Sequence, residues 1–145
     1  MPTTERSRTL QAPAGEVWAL IVDPAHLPRW WPRVTRVEAV ERDAFTQVLA
    51  SRAGRSVRAD FRVRADEPTL TLHWEQLVDD TPFARVLASA HTQLRLEAAG
   101  RGTTVTIELR QKLRGVFANL GSSRVRRAAG KTLEEALDGL ERIVG

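Results

Sequence analysis

The chain predicts an α+β fold, with an antiparallel sheet of about seven strands, two short helices after the first strand and one long C-terminal helix. Three observations carry this. Residues 12–24 have helical spacing with a start and a stop, and a second short helix follows at once. The middle of the chain alternates apolar and polar residues between turn signals, as strands with one buried and one wet face do. From about Phe117 onward the apolar residues recur at helical spacing up to Ile143.

A first strand is expected over residues 5–10. In the helix that follows, Pro13 and Glu16 suit the first turn, Val17, Leu20 and Ile21 share a face, and Asp23-Pro24 ends the run. The second helix ends in the paired Trp30 and Trp31. Weaker strands are expected over 34–40 and 45–50, and clear ones over 57–64, 70–75, 91–97 and 104–110. Turns fall at Ala53-Gly54-Arg55, Asp66-Glu67-Pro68, Asp79-Asp80-Thr81-Pro82 and Ala99-Gly100-Arg101-Gly102. The connections are too short for crossover helices, so the sheet is expected to be an antiparallel meander with consecutive strands as neighbours. The last helix carries Val125, Ala129, Thr132, Leu133, Ala136, Leu137, Leu140 and Ile143 on one stripe, and Gly121-Ser122-Ser123 marks either a break in it or its N-cap.

The segment from Ala12-Pro13 through Val17-Trp18 and Asp23-Pro24 to Leu27-Pro28-Arg29-Trp30-Trp31-Pro32 resembles the opening of the START-like superfamily, also called the SRPBCC or polyketide cyclase/dehydrase group. There a first strand runs into APxxVWxLxxDPxxLPxWxP. Leu72-His73-Trp74-Glu75 and residues 102–109 resemble later positions of the same family, so the resemblance covers essentially the whole chain. It implies a helix-grip fold, in which a curved sheet wraps around the last helix and leaves a cavity whose entrance is formed by the two short helices and the loops opposite. It also implies a small hydrophobic ligand of lipid, polyketide or isoprenoid type.

The residues support a cavity on their own terms. Ala59, Phe61, Val63, Leu72, Trp74, Gln76, Ala88, Ala90, Thr92, Leu94, Val105 and Ile107 share the apolar phase of the strands, and several are small. The helix stripe opposite is also small near Ala129, Thr132 and Ala136, where a closely packed interior needs large partners. The result is either a tight sheet-to-helix approach or a pocket lined by Phe61, Trp74, Leu133, Phe83 and Phe117; the pocket is the reading adopted. Gln76 and Thr92 are polar on that phase, and each either orients a ligand or reaches water or backbone near a strand end. Trp18 and Trp31 are read as plugs at one end of the cavity. Trp30 either does the same or touches the ligand.

Composition bounds the chemistry. The length of 145 residues fits one domain spanning 1–145. No apolar run reaches membrane-spanning length and the N-terminus has no secretion signal, so a cytoplasmic protein is expected. With no cysteine and three scattered His, neither a metal nor a cofactor is expected. A net charge of +4 does not require a nucleic acid partner. His73, Glu75, His91 and Asp60 fall on the outward phase, so no catalytic acid or base is assigned unless a β-bulge reverses the phase of the long run before residue 97. Arg124, Arg126 and Arg127 precede Glu134, Glu135, Asp138 and Glu141 on the last helix, against the helix dipole. Pairs such as Arg127 with Glu134 or Lys131 with Glu135 would offset this, or an anionic group would sit near the three arginines. A carrier for a small hydrophobic molecule is therefore expected, with a polyketide cyclase/dehydratase or a co-chaperone-like interaction module as alternatives.

Overall fold

The computed structural model describes residues 2–51, 53–115, 118 and 122–145. Its elements run β1 (Thr3–Leu10), α1 (Ala14–Val22), a 3₁₀ turn (Pro24–His26) leading into α2 (Leu27–Trp30), then β2 (Val34–Glu38), β3 (Ala44–Ala50), β4 (Ser56–Asp66), β5 (Thr71–Leu77), β6 (Leu87–Ala99), β7 (Gly102–Leu113) and α3 (Ser122–Val144). Each predicted element exists, and most strands outrun their predicted ends where alternation fades into turn residues. The 3₁₀ turn at Pro82–Arg85, before β6, was not anticipated.

All seven strands form one antiparallel sheet in the order β1-β7-β6-β5-β4-β3-β2. From β2 to β7 the sheet is the expected meander. The first two strands are the exception: they lie at opposite edges, because α1 and α2 carry the chain across the sheet between them. This connection leaves β1 free to pair with β7, where Arg6 faces Ile107 and Arg8 faces Val105.

The core lies between the inner face of the sheet and the apolar stripe of α3. Leu133, Ala136, Leu137 and Leu140 are fully buried, together with Leu10, Leu72, Leu94, Val105 and Ile107. Two glycines permit close approach. A Cβ on Gly139 would collide with the Trp30 backbone carbonyl and lie 2.7 Å from Trp30 Cα, so α2 can touch α3 only because that position is bare. A Cβ on Gly130 would lie 2.6 Å from Arg6 Nη2.

The acidic residues of α3 are answered from β1 rather than from the helix itself. Arg8 reaches Glu134 at 2.8 Å, Asp138 at 2.5 Å and Glu141 at 3.5 Å, and Arg6 lies 3.7 Å from Glu134. Its hydrogen bond to Asp138 is the main cause of a raised Arg8 pKa. Among the described residues the anticipated Arg127–Glu134 and Lys131–Glu135 pairs do not form. The edge strand brings a half-buried arginine to those carboxylates, and a strand-to-helix contact cannot be read from helical spacing.

Candidate functional site

The inner face of the sheet is closed at one end and open at the other. Leu72, Leu94, Val105 and Ile107 occupy the closed end. At the other end a cavity of about 540 Å³ opens between the sheet, the α2–β2 turn and Thr132 of α3. Register explains which side chains meet there: Gln47 faces Ala59, Phe61 faces Gln76, Trp74 faces Thr92, Thr92 faces Leu109 and Ala90 faces Gln111. Each of these lines the cavity, with Phe83 from the 3₁₀ turn.

Aromatic rings form one continuous wall. Phe45 and Phe61 stack at 5.3 Å, Phe45 meets Trp74 at 6.0 Å, and Trp31 meets Trp74 edge-on at 5.3 Å. The polar groups are amides and hydroxyls: Gln47 and Thr92 are buried, and Gln76 and Gln111 are half-buried. Gln76 Nε2 is fully buried and has no hydrogen-bond partner, a condition that costs about 1–3 kcal/mol. Arg33 is the one charged residue among the described lining residues.

Of the residues selected from sequence, Ala59, Phe61, Trp74, Gln76, Phe83, Ala90 and Thr92 border the cavity. Leu72 and Leu133 instead belong to the fully buried core: both are on the inner side, but at the closed end. Val63 packs against the core and borders a charged depression with Asp43, Arg62, Arg64, His73 and Glu75. Ala129 borders an adjoining recess with Arg124, Val125 and Ala128, which shares Leu109, Gln111 and Thr132 with the cavity. Phe117 and Gly121 lie outside the described residues.

The two tryptophans divide differently from the expectation. Trp30 is buried in the core, its Nε1 without a hydrogen-bond partner, and it is Trp31 that borders the cavity. The helix ends between them: Trp31 has extended dihedrals (φ −88°, ψ 130°), so its ring leaves the direction set by α2. Gln47, Gln111 and Arg33 were missed. Gln47 was accessible to the same reasoning, since it shares a phase with Phe45 and Leu49; Arg33 was not, because it stands in an irregular turn.

The anticipated bulge exists, with a register shift between Leu87 and Ser89, so Ala88 is the extra residue. It precedes His91 and leaves that residue on the outer side. There His73 Nε2 lies 3.2 Å from His91 Nδ1 with the rings stacked. Burial, and then the neighbouring His91, lower the His73 pKa.

An apolar cavity with a few convergent polar groups, held between a curved sheet and a long helix, defines a ligand-binding domain of the START-like helix-grip class. The chain belongs to the family described as polyketide cyclase / dehydrase and lipid transport, whose model matches residues 1–145. No curated protein matches it significantly. Solved structures similar to it include a START superfamily protein from Mycobacterium smegmatis (16% identity, TM-score 0.80, covering 98% of this chain and 96% of that one). Another is a protein from Thermus thermophilus (23%, 0.80, 99% and 97%). A third is the di-domain ARO/CYC BexL from the BE-7585A biosynthetic pathway (21%, 0.81, 98% and 46%), of whose length this chain spans under half. These likenesses establish the shared fold. Among the described residues no helix is long and apolar enough to cross a membrane.

Proposed function

We propose that the protein binds a small, mainly apolar molecule with a polar group that meets the amides lining the cavity, and acts as its carrier. One observation carries this reading: a cavity of about 540 Å³ walled by Phe61, Trp74 and Leu109 also carries the side-chain amides of Gln47, Gln76 and Gln111, a mainly apolar site with a few polar groups to orient a ligand. The cyclase/dehydratase reading has less support, because general acid–base chemistry needs a titratable group at about 2.6–3.2 Å from the reacting atom. The described lining residues include no carboxylate and no imidazole, and a guanidinium does not deprotonate in proteins. The interaction-module reading calls for an exposed apolar patch, whereas Val40 and Val86 are the exposed large hydrophobics among the described residues.

Titration of the purified protein with a hydrophobic fluorophore tests the proposal, with stoichiometric binding expected. Ala59→Trp should abolish binding at a cost of about 1–3 kcal/mol, because Ala59 lines the cavity but is itself buried. Gln76→Leu should weaken a ligand that hydrogen-bonds this amide about five- to hundredfold while leaving Tm unchanged or higher. A destabilised Ala59→Trp protein that still binds the fluorophore would mean that the interior is closed and the ligand sits elsewhere.

A further inference from the structure

We infer that Arg33 is a ligand-binding residue and that the molecule carried in the cavity has a carboxylate, held at the cavity mouth by this guanidinium. The inference rests on the reading of the cavity as a ligand site and adds the ligand's charge and orientation to it.

Arg33 occupies the turn that joins α2 to β2, and its φ is +68°. That left-handed conformation strains an L residue with a side chain and costs glycine nothing. The carbonyl of Arg33 accepts a 2.9 Å hydrogen bond from Ala50 N, which ties the turn to the end of β3. Glycine would meet this backbone geometry at least as well, and Ala39, Leu70 and Asp80 share it, so Arg33 is set apart by what its side chain borders.

Among the described residues that side chain has no polar partner. Arg6, Arg8, Arg36, Arg58, Arg95 and Arg110 each hold a carboxylate. Arg33 forms no ion pair among the described residues, although it shares a surface cleft with Arg29, Glu135, Asp138 and Arg142. Asp138 is already bonded to Arg8 at 2.5 Å. On its other side Arg33 borders the cavity beside Trp31 and Gln47. An exposed, uncommitted guanidinium at the rim of an apolar cavity is a receptor for the charged end of an amphiphile.

A carboxylate fits better than a phosphate dianion. One planar guanidinium can bind a carboxylate through two parallel hydrogen bonds and balance its single charge, whereas a dianion calls for a second cation that the described cavity lining does not contain, Arg29 and Arg142 bordering the surface cleft instead. The apolar body would then lie against Phe61 and Trp74. Arg124 offers a competing anchor, but it borders the adjoining recess rather than the cavity itself.

The test compares pyrenebutyrate with its uncharged methyl ester on the full chain at neutral pH. The native protein should bind the carboxylate about tenfold more tightly than the ester at low salt, with the preference shrinking as salt rises. Arg33→Gly should abolish the preference, keep the ester affinity and hold or raise Tm, a combination that a structural role for the arginine would not produce. Arg124→Gln should leave the preference intact. Ester binding without a carboxylate preference, retention of the preference in Arg33→Gly, or its loss in Arg124→Gln would each overturn the inference while leaving the cavity reading in place. Tighter binding of a pyrene phosphate monoester would overturn the carboxylate assignment. Failure of both compounds to bind the native protein would overturn the cavity reading itself, and this inference with it.

Discussion

The two halves of α3 do different work. Its C-terminal half buries Leu133, Ala136, Leu137 and Leu140, touches α2 at the bare Gly139 and answers its carboxylates with Arg8. Its end is also tied down, since Gln11 N donates to the carbonyl of Gly145 at 2.6 Å. The N-terminal half, by contrast, exposes Arg124, Arg126 and Arg127 and faces open volume through Val125, Ala129 and Thr132. One helix thus carries stability at one end and frames a cavity at the other. Both use small residues, and the difference is what stands opposite: backbone and β1 side chains fill the space at the C-terminal end, while small and amide side chains leave it open at the other.

Substitutions should separate the halves by size of effect. Leu140→Ala should be the most damaging, costing about 2–5 kcal/mol because a fully buried side chain is removed where the surroundings cannot collapse. Thermal unfolding should record this as a fall in Tm of about 10 °C. Gly139→Ala follows at about 1–3 kcal/mol, since the added methyl forces α2 away from the helix, and its signature would be a concurrent change in tryptophan fluorescence from Trp30.

Arg8→Met should come next, at about 1–2 kcal/mol. It leaves Glu134, Asp138 and Glu141 without their shared counter-charge, so added salt should recover part of the lost stability. In the other half, Val125→Ala should cost about 0.5 kcal/mol or less, because this half-buried side chain borders open space. A cost equal to that of Leu140→Ala would erase the distinction between the halves.

The smallest effect is expected on the outer side of the sheet. His73→Gln should change stability at neutral pH by less than about 0.5 kcal/mol. Its pH dependence is more telling. The folded-state pKa of His73 lies below the ordinary value of 6.5, so the unfolded chain takes up the proton first and stability falls as pH drops through 6.5 toward the lowered value. Burial and His91 drive that lowering, Arg64 and Arg110 add to it, and Glu75 opposes it. The variant should therefore lose less Tm than the native protein between pH 7 and pH 5, and an equal loss in both would remove His73 as the cause.

Local pattern was sufficient wherever one face of an element is buried and the other wet. The unbroken alternation of Val57 to Arg64 and of Thr104 to Arg110, and the helical stripe from Val125 to Ile143, specified element type and inward face because burial of one face leaves no other arrangement. The same reasoning brought Ala59, Phe61, Trp74, Gln76, Ala90 and Thr92 to one wall. It could not tell the open end of that wall from the closed one. Leu72 and Trp74 share a phase, a strand, an apolar character and a place in the core, yet Trp74 alone of the two also borders the cavity.

Sequence by itself thus determined the elements, their facing and, through a long motif, the family. Tertiary structure decided the rest. The crossing of α1 and α2 sent β1 to the far edge, where Arg8 took up the helix carboxylates; the termination of α2 between two tryptophans chose Trp31 over Trp30 for the cavity; and a left-handed turn set Arg33 at its mouth. The physical reason is range. Periodicity reports which side of an element is dry, a property of neighbours along the chain, whereas a cavity is the space left where distant elements fail to meet, and its position depends on side chains from five strands, the turns between elements and a helix arriving together.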